Sequence, residues 1–150
     1  MVDDKERRVK AAGYGEQRIE ALGQRPYLDL VCKDGSVVRM PHPLRLDDDA
    51  LARVEALQRG DGLDREPVFD EAGRPARDAA GKPVTRIVDP PTVDGKRADP
   101  YVVRAMKAVL GESDYAKLRD HGLTAADLYS MWDELSETRE KVDDPKGEAT

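Results

Sequence analysis

Residues 27–40 read YLDLVCKDGSVVRM: two short apolar, β-branched runs on either side of Lys33-Asp34-Gly35. Asp-Gly between such runs is a strong local hairpin signal, because glycine takes the positive φ that the turn demands. Strict alternation puts Leu28, Leu30 and Cys32 on one face and Tyr27, Asp29 and Val31 on the other. Val38 and Met40 are expected on the core face. Pro41 and Pro43 should end the ladder, since neither can donate a backbone hydrogen bond. A helix should follow. Asp47, Asp48 and Asp49 supply a cap and negative charge at its start. Leu51, Val54 and Leu57, with Leu46, form a stripe at helical spacing, and Gly60 is a natural stop. A lone hairpin is marginal in water, so this helix is expected to cover it.

The last third carries the other clear signals. Asp99-Pro100 opens a helix in which Val102, Val103, Met106, Val109 and Leu110 recur at helical spacing up to Gly111. Ser113 is placed to cap a short helix bearing Tyr115 and Leu118 and closed by Gly122. Thr124 and Asp127 have the spacing of a capping box, with Leu123 and Leu128 as its hydrophobic staple. Leu128, Met131, Trp132 and Leu135 then form a buried stripe, and Asp143-Asp144-Pro145 should end the helix.

Two segments are less structured in this reading. Residues 1–24 are rich in charge, alanine and glycine, so they form either a short frayed helix or a disordered arm. Residues 61–98 hold Pro67, Pro75, Pro83, Pro90 and Pro91, and two related pieces, DEAGRPA at 70–76 and DAAGKPV at 78–84. Each piece reads as a turn, and two copies are too few for a solenoid. A long loop without structure is improbable inside a compact domain, so the segment is expected to be a flexible linker, with a short strand near Val84–Val88 as an option. The expected fold class is therefore α+β, mostly α. It comprises an arm at 1–24, a β-hairpin plus helix at 25–60, a Pro/Gly-rich acidic linker at 61–98, a three-helix bundle at 99–142 and a disordered tail at 143–150.

Composition agrees. The 150 residues include 13 Leu, 2 Ile, 14 Val and 1 Phe, a fifth of the chain, which is at the edge of autonomous folding. Charged residues make up 37%, and mean hydropathy is −0.71. No apolar run approaches the roughly 20 residues of a membrane span. The start MVDDKERR lacks the apolar stretch of a secretory signal, so an intracellular protein is expected. Net charge is −6. It falls mainly after residue 100, where 11 acidic groups face 7 basic ones. Neither nucleic acid, which calls for a basic face, nor a membrane, for which no spanning run exists, is the expected partner.

Catalytic signatures are missing: the sequence has no GxSxG, P-loop, dinucleotide fingerprint or HExxH. With one cysteine and two widely separated histidines, no metal site or cofactor is expected. Asp47–Asp49 could bind a cation, but capping is the better reading. His121 could act as a base, but its place in the last helical turn suits the helix dipole. Cys32 reads as a buried structural thiol. Arg7, Arg8 and Lys10 sit among acids and read as a solvated face. Trp132, the only tryptophan, is either the anchor of the helical core or a hot spot for a partner.

Two segments resemble a known family. LVCKDGSVVRMPHPLRLDDDALARVEALQRG at 30–60 and the helical end at 99–150, above all YAKLRDHGLTAADLYSMWDEL at 115–135, are similar to the tail assembly chaperones of long-tailed phages and prophages of actinobacteria. The shared pattern is a strand-turn-strand with a Pro-rich exit, a variable acidic linker, and a helix ending at Gly before a capped helix with an apolar–aromatic stripe. The resemblance implies a non-catalytic protein of the host cytoplasm, absent from the mature virion. Such a protein binds the tape measure protein and helps recruit the major tail protein. It also implies that a programmed frameshift can extend the chain. The contact surface expected on that basis is Val102, Met106, Tyr129, Met131 and Trp132, and a homo-oligomer is left open. The alternatives are a head-to-tail connector or tail terminator subunit, a DNA-mimicking acidic regulator, and an accessory subunit of an enzyme.

Overall fold

The structure is a computed structural model that describes residues 10–138. Its elements are α1 (Tyr14–Ala21), β1 (Tyr27–Val31), β2 (Val37–Pro41), α2 (Asp48–Arg59), β3 (Arg65–Pro67), β4 (Thr85–Ile87), β5 (Thr92–Val93), β6 (Lys96–Arg97), α3 (Tyr101–Leu110), α4 (Glu112–Asp120) and α5 (Ala125–Glu134). The class is α+β. The expected tail at 143–150 and the first nine residues of the arm lie outside the described residues.

The hairpin forms in the expected register, with Leu28 opposite Met40, Leu30 opposite Val38 and Val31 opposite Val37. Gly35 takes φ 85°, and its N–H donates to the Cys32 carbonyl at 2.9 Å. Cys32, Val38 and Met40 are buried, while Val31 is 74% exposed, as alternation requires. Pro41 closes the ladder opposite Tyr27, and the chain then enters a one-turn 3-10 helix at Pro43–Arg45.

Helix α2 starts and stops where its sequence predicts. Asp47 Oδ1 accepts from Ala50 N–H at 2.7 Å. Gly60, at φ 75°, sends its N–H back to Leu57. Its partner differs from expectation, because α2 packs on α3 rather than on the hairpin. Arg53 Nε reaches the Ala108 carbonyl at 2.8 Å, and Ala50 and Ala108 are buried. Such small side chains let two helix backbones come close. Leu51, assigned to the apolar stripe, is 46% exposed.

Helix α3 stands at the centre, against α2, α4, α5 and strand β2. This position explains why Ala105, Met106, Ala108, Val109 and Leu110 are all buried. One core cluster joins Cys32, Val38 and Met40 of the hairpin region to Met106, Tyr115, Leu118, Leu128 and Leu135 of the helices. The two ordered parts of the sequence therefore share a single core. A fully buried side chain contributes about 1.5–3 kcal/mol, and Met40, Met106, Leu118 and Leu128 are the largest such apolar contributors in that cluster.

Three boundaries shift. Pro100 stands at the cap of α3, one position before the helix. Gly111, rather than Ser113, precedes α4. Helix α5 ends at Glu134, well before Asp143. The capping box forms as expected: Thr124 Oγ1 accepts from Asp127 N–H at 3.0 Å, and Asp127 Oδ2 accepts from Thr124 N–H at 2.9 Å. The arm contains a helix, α1, which buries Ile19.

Residues 61–98 correct the expectation of a flexible linker. Strand β3 pairs antiparallel with β4, and β5 with β6. The two related pieces form two copies of one turn. Asp70 Oδ1 accepts from Ala72 N–H and Arg74 N–H, and Asp78 Oδ1 accepts from Ala80 N–H and Lys82 N–H, all at 2.9 Å. Gly73 and Gly81 supply the positive φ, at 79° and 82°. Between the turns Val68, Ala76 and Val84 close a circuit. Ala76 N–H donates to Val68 at 2.8 Å, Val84 N–H to Ala76 at 2.9 Å and Val68 N–H to Val84 at 3.1 Å. Side-chain and backbone hydrogen bonds thus order a segment that has almost no core of its own.

Candidate functional site

The five residues expected to contact a partner do not form one open surface. Met106 is fully buried in the core cluster, so its assignment as a contact residue is corrected. A helix stripe facing solvent and one facing other elements look alike in sequence, and α3 packs against α2, α4, α5 and β2. Val102, Tyr129, Met131 and Trp132 are half-buried and pack against the core. The Tyr129 and Trp132 rings lie 6.1 Å apart at 57°. Trp132 Nε1–H donates to the Pro41 carbonyl at 3.1 Å, so the indole ties α5 to the end of the hairpin. That geometry matches the reading of Trp132 as a core anchor.

Met131 also borders a groove of about 160 Å³ between the hairpin and the end of α5. Leu28, Met131 and Leu135 form its apolar part, and Arg25, Glu134 and Glu137 line it with charge. Typical small-molecule pockets measure about 300–1,000 Å³, so this groove suits one or two side chains of a protein partner. Val102 and Met106 are not part of it.

The outer face of the hairpin carries the second apolar feature. Val31 and Val37 are cross-strand partners, 74% and 54% exposed. Beside them Arg39 forms a two-pronged ion pair with Asp29, at 2.8 and 3.1 Å, and lies 3.6 Å from the centre of the Tyr27 ring. Hydrogen bonds from Arg39 hold the Asp29 carboxyl below its usual range.

Among the polar groups, His42 is buried between α1 and α5. Its Nδ1 accepts from Leu44 N–H at 3.0 Å, which leaves Nε2–H to donate to Gln24 Oε1 at 2.8 Å. Burial lowers its pKa, so the ring is held neutral. Asp64 accepts from Thr92 Oγ1, Asp94 N–H and Gly95 N–H, and these bonds depress its pKa while fixing the β5–β6 turn.

Sequence reasoning missed one convergence. Cys32 and Asp34, in the hairpin turn, meet His121, at the end of α4. Donor atoms of the three lie within 4.8 Å of one another. Cys32 is buried, as expected, and His121 stands at the C-cap of α4, one position past the last turn in which it was expected. From sequence, Asp34 reads only as a turn residue. The single available sign was the Cys-x-Asp spacing at a hairpin turn, and nothing in the sequence connects it to a histidine 87 positions later.

Among the described residues, no helix is long and apolar enough to cross a membrane. No family model matches the chain, and neither a curated protein nor a solved structure matches it.

Proposed function

We propose that this chain is a non-catalytic tail assembly chaperone of a long-tailed phage or prophage, acting in the host cytoplasm and absent from the finished virion. Its partners are the tape measure protein, which it keeps soluble, and the major tail protein, which it helps to recruit. The observation that carries this reading is the groove between hairpin and α5. Its apolar part around Leu28 and Met131, rimmed by Arg25, Glu134 and Glu137, has the size and polarity to take side chains from an amphipathic helix. A tape measure protein presents such helices in long succession. The exposed Val31–Val37 pair offers a second weak point of contact, and linked weak contacts gain strength through effective concentration. A net charge of −6 favours the solubility of the complex. A connector or tail terminator ring generally calls for a larger sheet than the two-stranded ones described.

Co-expression with a tape measure fragment tests the proposal. The expected result is a soluble fragment that co-elutes with this chain on gel filtration. A fragment that stays insoluble, with no complex on the column, would remove its support.

A further inference from the structure

The convergence of Cys32, Asp34 and His121 has the composition of a transition-metal site. His121 and Asp34 each have one side-chain atom committed to a hydrogen bond and one left to give, and Cys32 offers its buried sulfur. His121 Nδ1–H donates to the Lys117 carbonyl at 2.8 Å, which leaves Nε2 with its lone pair. This is the tautomer and orientation typical of a metal-bound histidine, whose other nitrogen is held by a carbonyl or carboxylate. Asp34 Oδ1 accepts from Ser36 N–H at 2.9 Å and Ser36 Oγ at 2.5 Å, which fixes the carboxylate and leaves Oδ2. Cys32 is buried, and its backbone is pinned by bonds to Ser36 at 2.8 Å and Gly35 at 2.9 Å. The rigid turn and the helix end therefore present sulfur, oxygen and nitrogen to one point.

We propose that Cys32, Asp34 and His121 bind one divalent cation of the zinc class, with a water molecule in the fourth position. A thiolate and a carboxylate together neutralise a divalent charge. Thiolate and imidazole select zinc, or its substitute cobalt, over magnesium and calcium, which prefer oxygen alone. Tetrahedral bonds of about 2.0–2.3 Å require donor separations shorter than the present 4.8 Å limit. Binding would therefore draw the three groups closer together than they stand in the metal-free chain. The bound ion would clasp the hairpin turn to the end of α4.

The test uses the purified full chain, treated with chelator and titrated with Co²⁺ and then Zn²⁺. Wild type is expected to take one equivalent of Co²⁺, with the visible bands of a tetrahedral thiolate complex, and Zn²⁺ should displace it. Loss of even an outer-sphere partner commonly weakens a metal site by about 10–100-fold, so Cys32→Ser, Asp34→Asn and His121→Gln should each weaken binding by at least about tenfold. Asp120→Asn, next to His121 but outside the cluster, should bind like wild type. Circular dichroism establishes which variants keep the fold. If Cys32→Ser does not, Asp34→Asn and His121→Gln carry the test. The proposal is overturned if wild type takes up no stoichiometric Co²⁺ or Zn²⁺, or if any folded variant of the three binds as wild type does.

Discussion

Met106→Ala is the most informative single change in the shared core. Met106 is completely buried, at the point where α3 meets the hairpin and the other helices. Truncation to Cβ removes its transfer free energy and leaves a cavity that surrounding side chains fill only in part. Such Met→Ala changes cost about 2–5 kcal/mol. With a central position and neighbours on several sides, a loss of about 3 kcal/mol is expected. At a urea m-value of about 2 kcal/mol/M, the midpoint should fall by about 1.5 M. The corresponding drop in Tm is about 6–12 °C for a chain of this size. Met131→Ala is the control: Met131 is half-buried beside the groove, so about 1 kcal/mol or less is expected. Urea unfolding should be followed by Trp132 fluorescence and far-ultraviolet circular dichroism together, since the sole tryptophan reports on the seam between α5 and the hairpin. Coincident curves are expected, because one core serves both parts. A Met106→Ala cost below about 0.5 kcal/mol, or one smaller than that of Met131→Ala, would refute the central placement of α3.

Three further outcomes follow from local geometry. Thr124→Ala removes the hydroxyl that caps α5, and should cost about 1 kcal/mol in thermal or urea unfolding. Gly60→Ala should cost about 1–3 kcal/mol, because Gly60 has φ 75° and an added Cβ would collide with Ile87 Cδ1, which holds β4 against the end of α2. Acid should weaken the fold in two windows. Burial lowers the folded pKa of His42 below its ordinary 6.5, so the stability it contributes is complete above pH 6.5 and is lost as pH falls from there toward the folded value. Asp29, Asp34, Asp64 and Asp127, all lowered from 3.8, contribute stability that is present above pH 3.8 and is lost as pH falls through their folded values. In His42→Asn, whose amide oxygen can still accept from Leu44 N–H, the fall just below pH 6.5 should disappear while the more acidic one remains.

What could be read from the sequence was what local physics controls. Period-two alternation and Asp34-Gly35 fixed the hairpin and its register, since side chains on a strand must alternate faces. Thr124 and Asp127 marked the start of α5 because both partners of a capping box lie within four residues. The helical stripe of α2 was visible, but its destination was not. Whether it covers a hairpin or another helix depends on contacts that no periodicity encodes, and Ala50 and Ala108 reveal close packing only once the helices are side by side. Residues 61–98 depart from expectation for a different reason. Their order comes from Asp70 and Asp78 holding backbone amides and from the circuit of Val68, Ala76 and Val84, not from an apolar face. Both Asp-x-x-Gly turns are legible in the sequence, but the closing of their ends at an eight-residue repeat is visible only in the fold. Met106 shows the matching limit for surfaces, because stripe patterns do not count how many neighbours a helix will have. The Cys32–Asp34–His121 cluster joins a turn to a distant helix end, and only the tertiary fold creates it.

The proposed role requires this chain to keep an aggregation-prone helical partner in solution by covering its apolar stripe. Light scattering measures that directly. A tape measure protein fragment is diluted from denaturant into buffer with increasing amounts of this chain, and with an equally acidic unrelated protein as control. Scattering is expected to fall with the molar ratio and level off near stoichiometric amounts, while the control has no effect. Scattering that stays unchanged at molar excess, or falls equally with the control, would contradict it.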